Sequence, residues 1–183
     1  MVDQEADASC VIVSLTDAFP VEDFDCGDAP RNAWLCTRAL GNQASDDTRT
    51  YVALKEGVVV GFYALAVGSI VHAGMPGAIR RNAPDPISCV LLAQLAVGFP
   101  FQKRGLSRQL VLHSMNQAVK IAEIAGCRLF AVHPATPELE AYYAKYGFVR
   151  TVTTPMIMVL PLRKIRTTLA AVAAAQAGTD RQL

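Results

Sequence analysis

At 183 residues the chain is long enough to bury a full hydrophobic core as one domain. Its 52% hydrophobic and 18% charged content excludes a disordered chain, and a net charge of +1 leaves any nucleic-acid contact to a local patch. No apolar run approaches the ~20 residues of a membrane span, and the acidic, polar opening MVDQEADASC is not expected to act as a signal peptide.

Residues 10–15 (CVIVSL) read as a short strand. Residues 17–28 form an acid-rich loop holding Phe24-Asp25-Cys26-Gly27. A helix is predicted from about Arg31 to Leu40, with Pro30 near its first turn and Trp34, Leu35 and Ala39 on its apolar side; Gly41-Asn42 should stop it. Residues 50–55 and 58–70 are β-rich, and Glu56-Gly57 between them predicts a hairpin. Residues 74–86, with three prolines, two glycines and Arg80-Arg81, read as an irregular, mobile excursion. The almost wholly apolar residues 87–97 predict a central strand.

Residues 129–132 predict a buried strand. Thr136-Pro137-Glu138 is a helix start with a capping hydroxyl, a proline in the first turn and an early acid. That helix carries Leu139, Tyr142, Tyr143 and Tyr146 and ends at Gly147. Residues 148–151 and 156–162 read as closing strands, and the alanine-rich tail predicts a helix over 163–177 that frays afterwards. Strand hairpins first and strand–helix–strand units later give an α/β sandwich with a mixed sheet. The expected organisation is one domain over 1–183, with a core over about 10–162 and a helical tail over 163–183. Cys10, Cys26, Cys36, Cys89 and Cys127 are irregularly spaced without a CxxC and read as reduced thiols.

The rest of the chain is organised around residues 94–126. The strand Leu95-Ala96-Val97 bends through Gly98-Phe99-Pro100-Phe101 into the basic loop Gln102-Lys103-Arg104-Gly105-Leu106-Ser107 and then a long helix. Val111, Met115, Ala118, Ala122 and Ala125 recur at helical spacing on one side, Gln109, Asn116, Lys120 and Glu123 on the other, and Gly126 sits where a helix-ending glycine belongs. The first amides of a helix lack intrahelical partners and carry the positive end of its dipole, so a small-residue loop leading into one is suited to a phosphate. Neither G-x-x-x-x-G-K-S/T nor G-x-G-x-x-G is present.

The loop resembles motif A of the GNAT-superfamily N-acetyltransferases, Q/R-x-x-G-x-G/A, standing here as Gln102-x-x-Gly105-x-Ser107. The joint order of several segments is similar to one branch, the TacT/AtaT-like acetyltransferase toxins of bacterial toxin–antitoxin pairs. These segments include Phe24-Asp25-Cys26-Gly27, Arg49-Thr50-Tyr51-Val52, residues 60–65, Asp85-Pro86-Ile87, Leu95-Ala96-Val97 and Tyr142-Tyr143-x-x-x-Gly147-Phe148. The branch usually has arginine at Gln94, aspartate at Gly98, and glycine at Lys103 and Ser107.

The resemblance implies a GNAT fold, a mostly antiparallel sheet with splayed parallel strands flanked by helices. It also implies acetyl-CoA as cofactor, with Leu95, Ala96, Val97, Gln102, Lys103, Arg104, Gly105, Leu106 and Ser107 binding it. Tyr143 is implied as the proton donor to the leaving thiolate; read from packing alone, it is one of three aromatics seating its helix on the sheet. His72, His113 and His133 are scattered and offer no obvious general base. An α-amine, with a pKa of about 7.7–8.0, needs less help than a lysine at about 10.4. The implied activity is acetylation of the α-amine of aminoacyl-tRNA, which blocks translation, with Arg80-Arg81 as candidate tRNA phosphate contacts. A ribbon-helix-helix antitoxin, a possible homodimer and a cytoplasmic location without membrane contact complete the expectation. The rivals are a GNAT enzyme acting on a small amine or protein N-terminus, and a degenerate protein that binds acetyl-CoA or a partner without turnover.

Overall fold

The structure is a computed structural model that describes residues 10–153 and 155–179. In chain order the elements are β1 (Val11–Ser14), α1 (Ala29–Thr37), α2 (Ala39–Ala44), β2 (Arg49–Lys55), β3 (Val58–Ile70), α3 (Gly77–Arg80), β4 (Ile87–Val97), α4 (Leu106–Ala125), β5 (Leu129–Val132), α5 (Pro137–Ala144), β6 (Val149–Arg150), β7 (Met158–Pro161) and α6 (Leu162–Thr179). The tail helix expected to fray after 177 continues to Thr179, and residues 1–9 and 180–183 lie outside the described residues. The strands form a mixed seven-stranded sheet in the order β1-β2-β3-β4-β5-β7-β6, flanked by helices. The apolar β4 is its middle strand, as a strand covered on both faces should be. Two compact units make up the chain, residues 1–67 with 91–114 and residues 68–90 with 115–183, and their boundaries fall inside β3, β4 and α4.

In the first unit β1 pairs antiparallel with β2 from Val11↔Leu54 to Ser14↔Tyr51, and β2 pairs antiparallel with β3. A register shift between Ala53 and Leu54 marks a bulge next to the Glu56-Gly57 turn, where both residues have positive φ. Because side chains alternate across a strand, Val52 and Phe62 go to one face of the sheet and Tyr51 and Tyr63 to the other. On the first face Phe62 is fully buried, stacked on Trp34 at 5.8 Å and met edge-on by Phe24 at 5.4 Å. Leu15, Val21, Leu35 and Ala39 complete this core. On the other face Tyr51 stacks on Tyr63 at 5.0 Å, and the Tyr63 hydroxyl lies 2.6 Å from His113 Nδ1 of α4. Burial pushes the Tyr63 phenol far above its ordinary pKa, so it stays protonated. Gly61 lets α4 approach: a Cβ there would stand 3.2 Å from Leu110 and from the Ala96 carbonyl oxygen.

In the second unit β5 pairs antiparallel with β7, and β7 with β6. Leu162 N–H donates to Arg128 O at 3.0 Å, so the first turn of α6 grows directly out of the edge of this ladder. Thr136 caps α5 by accepting from Leu139 N–H at 3.4 Å, with Pro137 in the first turn. Phe148 meets Phe130 and Tyr143, each at 5.6 Å between ring centres.

Three expectations need correction. The helix predicted over 31–40 begins at Ala29, capped by the Asp28 carboxylate, and breaks at Arg38 into α1 and α2. The Thr37 hydroxyl donates to Ala33 O at 2.7 Å, a local competitor for the helix ladder that bends helices, and α2 then carries Gly41 and Asn42 instead of ending at them. The excursion over 74–86 is tied down at several points. His72 N–H donates to the Asp85 carboxylate, Val152 N–H donates to Gly74 O at 3.0 Å, and Arg128 Nη1 donates to Asn82 O at 2.7 Å. Its middle is the single turn α3. Finally, Ala125 is exposed, so the buried stripe of α4 ends at Ala122.

Phe62→Ala should lower the free energy of unfolding by about 3–5 kcal/mol, because it empties a site filled from two sides by aromatic rings. Val11→Ala, at a position 61% exposed, should change it by no more than about 0.5 kcal/mol. Urea titrations of both variants check the contrast.

Candidate acyl-donor loop and catalytic tyrosine

The donor loop is built in the first unit, where β4 stops pairing. Gly98 N–H donates to Val60 O at 2.9 Å, and Phe99 N–H to Asp25 O at 2.8 Å, so the chain leaves β3 and crosses to the turn before α1. A Cβ at Gly98 would stand 3.2 Å from Val60 O, so a larger residue there would need the strand carbonyl to give by a few tenths of an ångström. Residues 99–101 close a single 3-10 turn. The Gln102 carboxamide then donates to two carbonyls at once, Val97 O at 3.1 Å and Cys26 O at 2.9 Å. This side chain ties the loop to the strand end and to the turn before α1.

Two left-handed residues follow, Lys103 with φ 60° and Gly105 with φ 84°. They reverse the chain so that α4 starts at Leu106, and Gly105 O accepts from Arg108 and Gln109 N–H at 3.1 and 3.3 Å. The residue at the head of α4 is thus a glycine, with no side chain to cap the first amides. Together with the exposed Lys103 and Arg104, these open amides form a candidate anion cradle. Leu95 is half-buried, and Ala96 and Val97 are buried at the strand end that delivers the loop. Ser107 is half-buried in the first turn of α4.

The turn at residues 24–28 is the part of this site whose mechanical role the sequence reading did not assign. The Asp25 carboxylate accepts from Gly27 N–H at 2.8 Å and from Asn32 Nδ2 at 2.7 Å; these donors hold its pKa below the ordinary aspartate value. Asn32 Oδ1 in turn accepts from Cys26 N–H at 3.0 Å. Gly27, with φ 80°, lies against the Phe99 ring, which a Cβ would approach to 3.7 Å. The spacing Asp-x-Gly, an aspartate folding back on the amide two residues on, was the available signal.

Tyr143, on α5 in the second unit, is 5% exposed and packs edge-on against Tyr142 at 5.4 Å and Phe148 at 5.6 Å. Tyr142 and Tyr146 join hydroxyl to hydroxyl at 3.1 Å and serve the packing of this helix end. Arg80 and Arg81 are exposed at the C-terminal end of α3. Of the histidines, His113 faces Tyr63, His72 contacts Pro84 O at 2.8 Å, and His133 is exposed.

A profile of the acetyltransferase (GNAT) family matches residues 12–148. The chain is 38% identical over 152 residues to a tRNA-acetylating toxin of Mycobacterium tuberculosis (strain ATCC 25618 / H37Rv), covering 83% of this chain and 92% of that one. Its fold matches AtaT complexed with acetyl-methionyl-tRNAfMet with a TM-score of 0.81 at 24% identity, covering 87% of this chain and 99% of the other. It also matches a tyrosine-to-phenylalanine mutant of AtaT bound to the C-terminus of the antitoxin AtaR and acetyl-CoA, with a TM-score of 0.75 at 23% identity over 88% and 98% of the two chains. The chain belongs to the acetyltransferase (GNAT) family and is an N-acetyltransferase whose acyl donor is acetyl-CoA.

Proposed function

We propose that the chain is a toxin that acetylates the α-amine of aminoacyl-tRNA in the cytoplasm and so stops translation. The observation that carries this reading is the 38% identity to a tRNA-acetylating toxin across 83% of this chain, combined with the glycine-headed helix of the donor loop. Acetylation removes the nucleophile that peptide-bond formation needs. The catalytic demand on the protein is small. An α-amine with a pKa of about 7.7–8.0 is already ~10% neutral at pH 7, and an aminoacyl ester is less basic still, so water or a backbone carbonyl suffices to take its proton. The loop from Gln102 to Ser107 holds and orients the donor through main-chain amides, with Leu95, Ala96 and Val97 along its acyl arm. The Tyr143 hydroxyl holds the proton that stabilises the departing thiolate: a phenol near pKa 10 is protonated at neutral pH while a free thiol near 8.5 accepts readily. Arg80 and Arg81 contact tRNA phosphates.

The chain works as one acetyltransferase domain, with residues 163–183 as its helical tail. Its controlling partner is an antitoxin of the ribbon-helix-helix class, and it can act as a homodimer. Mass spectrometry of total charged tRNA incubated with the protein and acetyl-CoA tests the reading. A mass increase of one acetyl group on aminoacyl ends supports it, and acetylation of polyamines or peptide N-termini alone overturns it.

Three variants separate the parts. Gly105→Val places a β-branched side chain in the left-handed region at the head of α4, and should abolish acetyl-CoA binding in calorimetry while leaving a folded protein. Tyr143→Phe keeps the ring and removes the hydroxyl; single-turnover acetylation of charged tRNA should slow roughly 10²–10⁴-fold with little change in donor affinity. Changing Arg80 and Arg81 together to Ala should weaken tRNA binding and flatten its dependence on salt, with acetyl-CoA affinity unchanged, in a salt series of binding isotherms.

A further inference from the structure

Within the second unit a cavity of about 180 Å³ opens beside the turn after α3, the start of β5 and the first turn of α6. Four arginines from these three segments line it, Arg81, Arg128, Arg163 and Arg166, together with the buried Leu129 and Leu162. A guanidinium stays charged at every working pH, so the mutual repulsion of these groups cannot be relieved by losing a proton. Glu123 approaches Arg166 at 3.6 Å, but both side chains are at least half open to water, and such a pair neutralises little. Arg128 is held in place by its bond to Asn82 O, in a turn where Asn82 itself has a φ of 55°. The first turn of α6 adds the positive end of an 18-residue helix to the same wall.

We propose that this cavity seats a backbone phosphate of the tRNA, as an anchoring point fixed by the C-terminal helix. The proposal rests on the reading of the chain as a tRNA acetyltransferase. Guanidinium groups arriving from three segments suit a tetrahedral anion, whose oxygens point in several directions, better than a planar carboxylate, which one guanidinium fork satisfies. Arg163 and Arg166 come from α6, beyond residues 12–148, the span matched by the family profile, whereas Arg81 and Arg128 lie within it. Arg81 then has its place in a defined cavity, whereas Arg80 does not line it.

The test uses the full chain, a salt series of fluorescence-anisotropy isotherms with uncharged tRNA, and an acetylation assay with charged tRNA. Arg163 and Arg166 are both exposed, so Arg163→Gln with Arg166→Gln should fold; equal melting temperatures and equal acetyl-CoA affinity check that it does. The expected result is roughly tenfold weaker tRNA binding and a log–log salt slope smaller by about 1. Arg163→Lys with Arg166→Lys, which keeps the charge, should retain most of the slope. An unchanged slope in the Gln pair, with wild-type protein binding and acetylating tRNA, overturns the cavity assignment and leaves the acetylation reading standing. Wild-type protein that neither binds nor acetylates tRNA overturns both. Loss of poly-glutamate binding in the Gln pair without loss of tRNA binding assigns the cavity to an acidic peptide and overturns the phosphate.

Discussion

The donor loop depends on one side-chain amide. When β4 runs out of partners at Val97, the chain must turn away from the sheet, and its last carbonyls need donors in a region that water reaches poorly. Gln102 supplies them, bridging Val97 O and Cys26 O with one nitrogen. That bridge joins the end of the strand to the turn before α1, just ahead of Lys103, Gly105 and the first turn of α4. The Asp25–Gly27–Asn32 cluster holds the other side of the bridge, so a segment some seventy residues away in sequence is part of the loop's frame. Rigid support of this kind allows backbone amides to bind an anion without a reorganisation cost at the moment of binding.

The first unit separates its two sheet faces by chemistry. One face is aromatic and dry, centred on Phe62. The other carries Tyr51, Tyr63 and His113, in which burial keeps the Tyr63 phenol protonated and pairs it with the imidazole. A buried hydroxyl with a fixed partner helps to specify how the first turns of α4 sit, because sliding the helix by one turn would part the Tyr63 hydroxyl from the imidazole. The same helix has Gly105 at its head, so this packing also fixes where the first turn of α4 begins.

Much of this was legible from residue order. The strands over 58–70, 87–97 and 129–132 follow from apolar runs bounded by turn residues, and the structure returns the same boundaries. The start of α5 is announced by Thr136-Pro137, and Gly126 ends α4 with a φ of 71°. What sequence could not announce is competition between local and distant partners. The break at Arg38 arises where the Thr37 hydroxyl reaches back to Ala33 O, and nothing in the apolar spacing of 31–40 encodes that choice. Residues 74–86 look unstructured because prolines and glycines hide periodicity, yet their ties go to Asp85, Arg128 and Val152, visible only once the chain is folded. The partners of Gln102 are of the same kind: its motif position says that an amide is wanted there, while the structure shows which carbonyls the amide holds.

Lys103 has a consequence for physiology. A non-glycine residue at φ 60° pays a conformational penalty of about 1 kcal/mol that glycine would escape. In return the chain places a mobile cation beside the cradle proposed for a pyrophosphate. A cradle of amides alone binds through short, directional bonds that dissolved ions disturb little, whereas an exposed ammonium is screened over about 8–10 Å at cellular ionic strength. Under the donor-loop reading proposed above, part of the grip on the acyl donor would vary with the ionic strength of the surroundings, through the exposed Lys103 and Arg104.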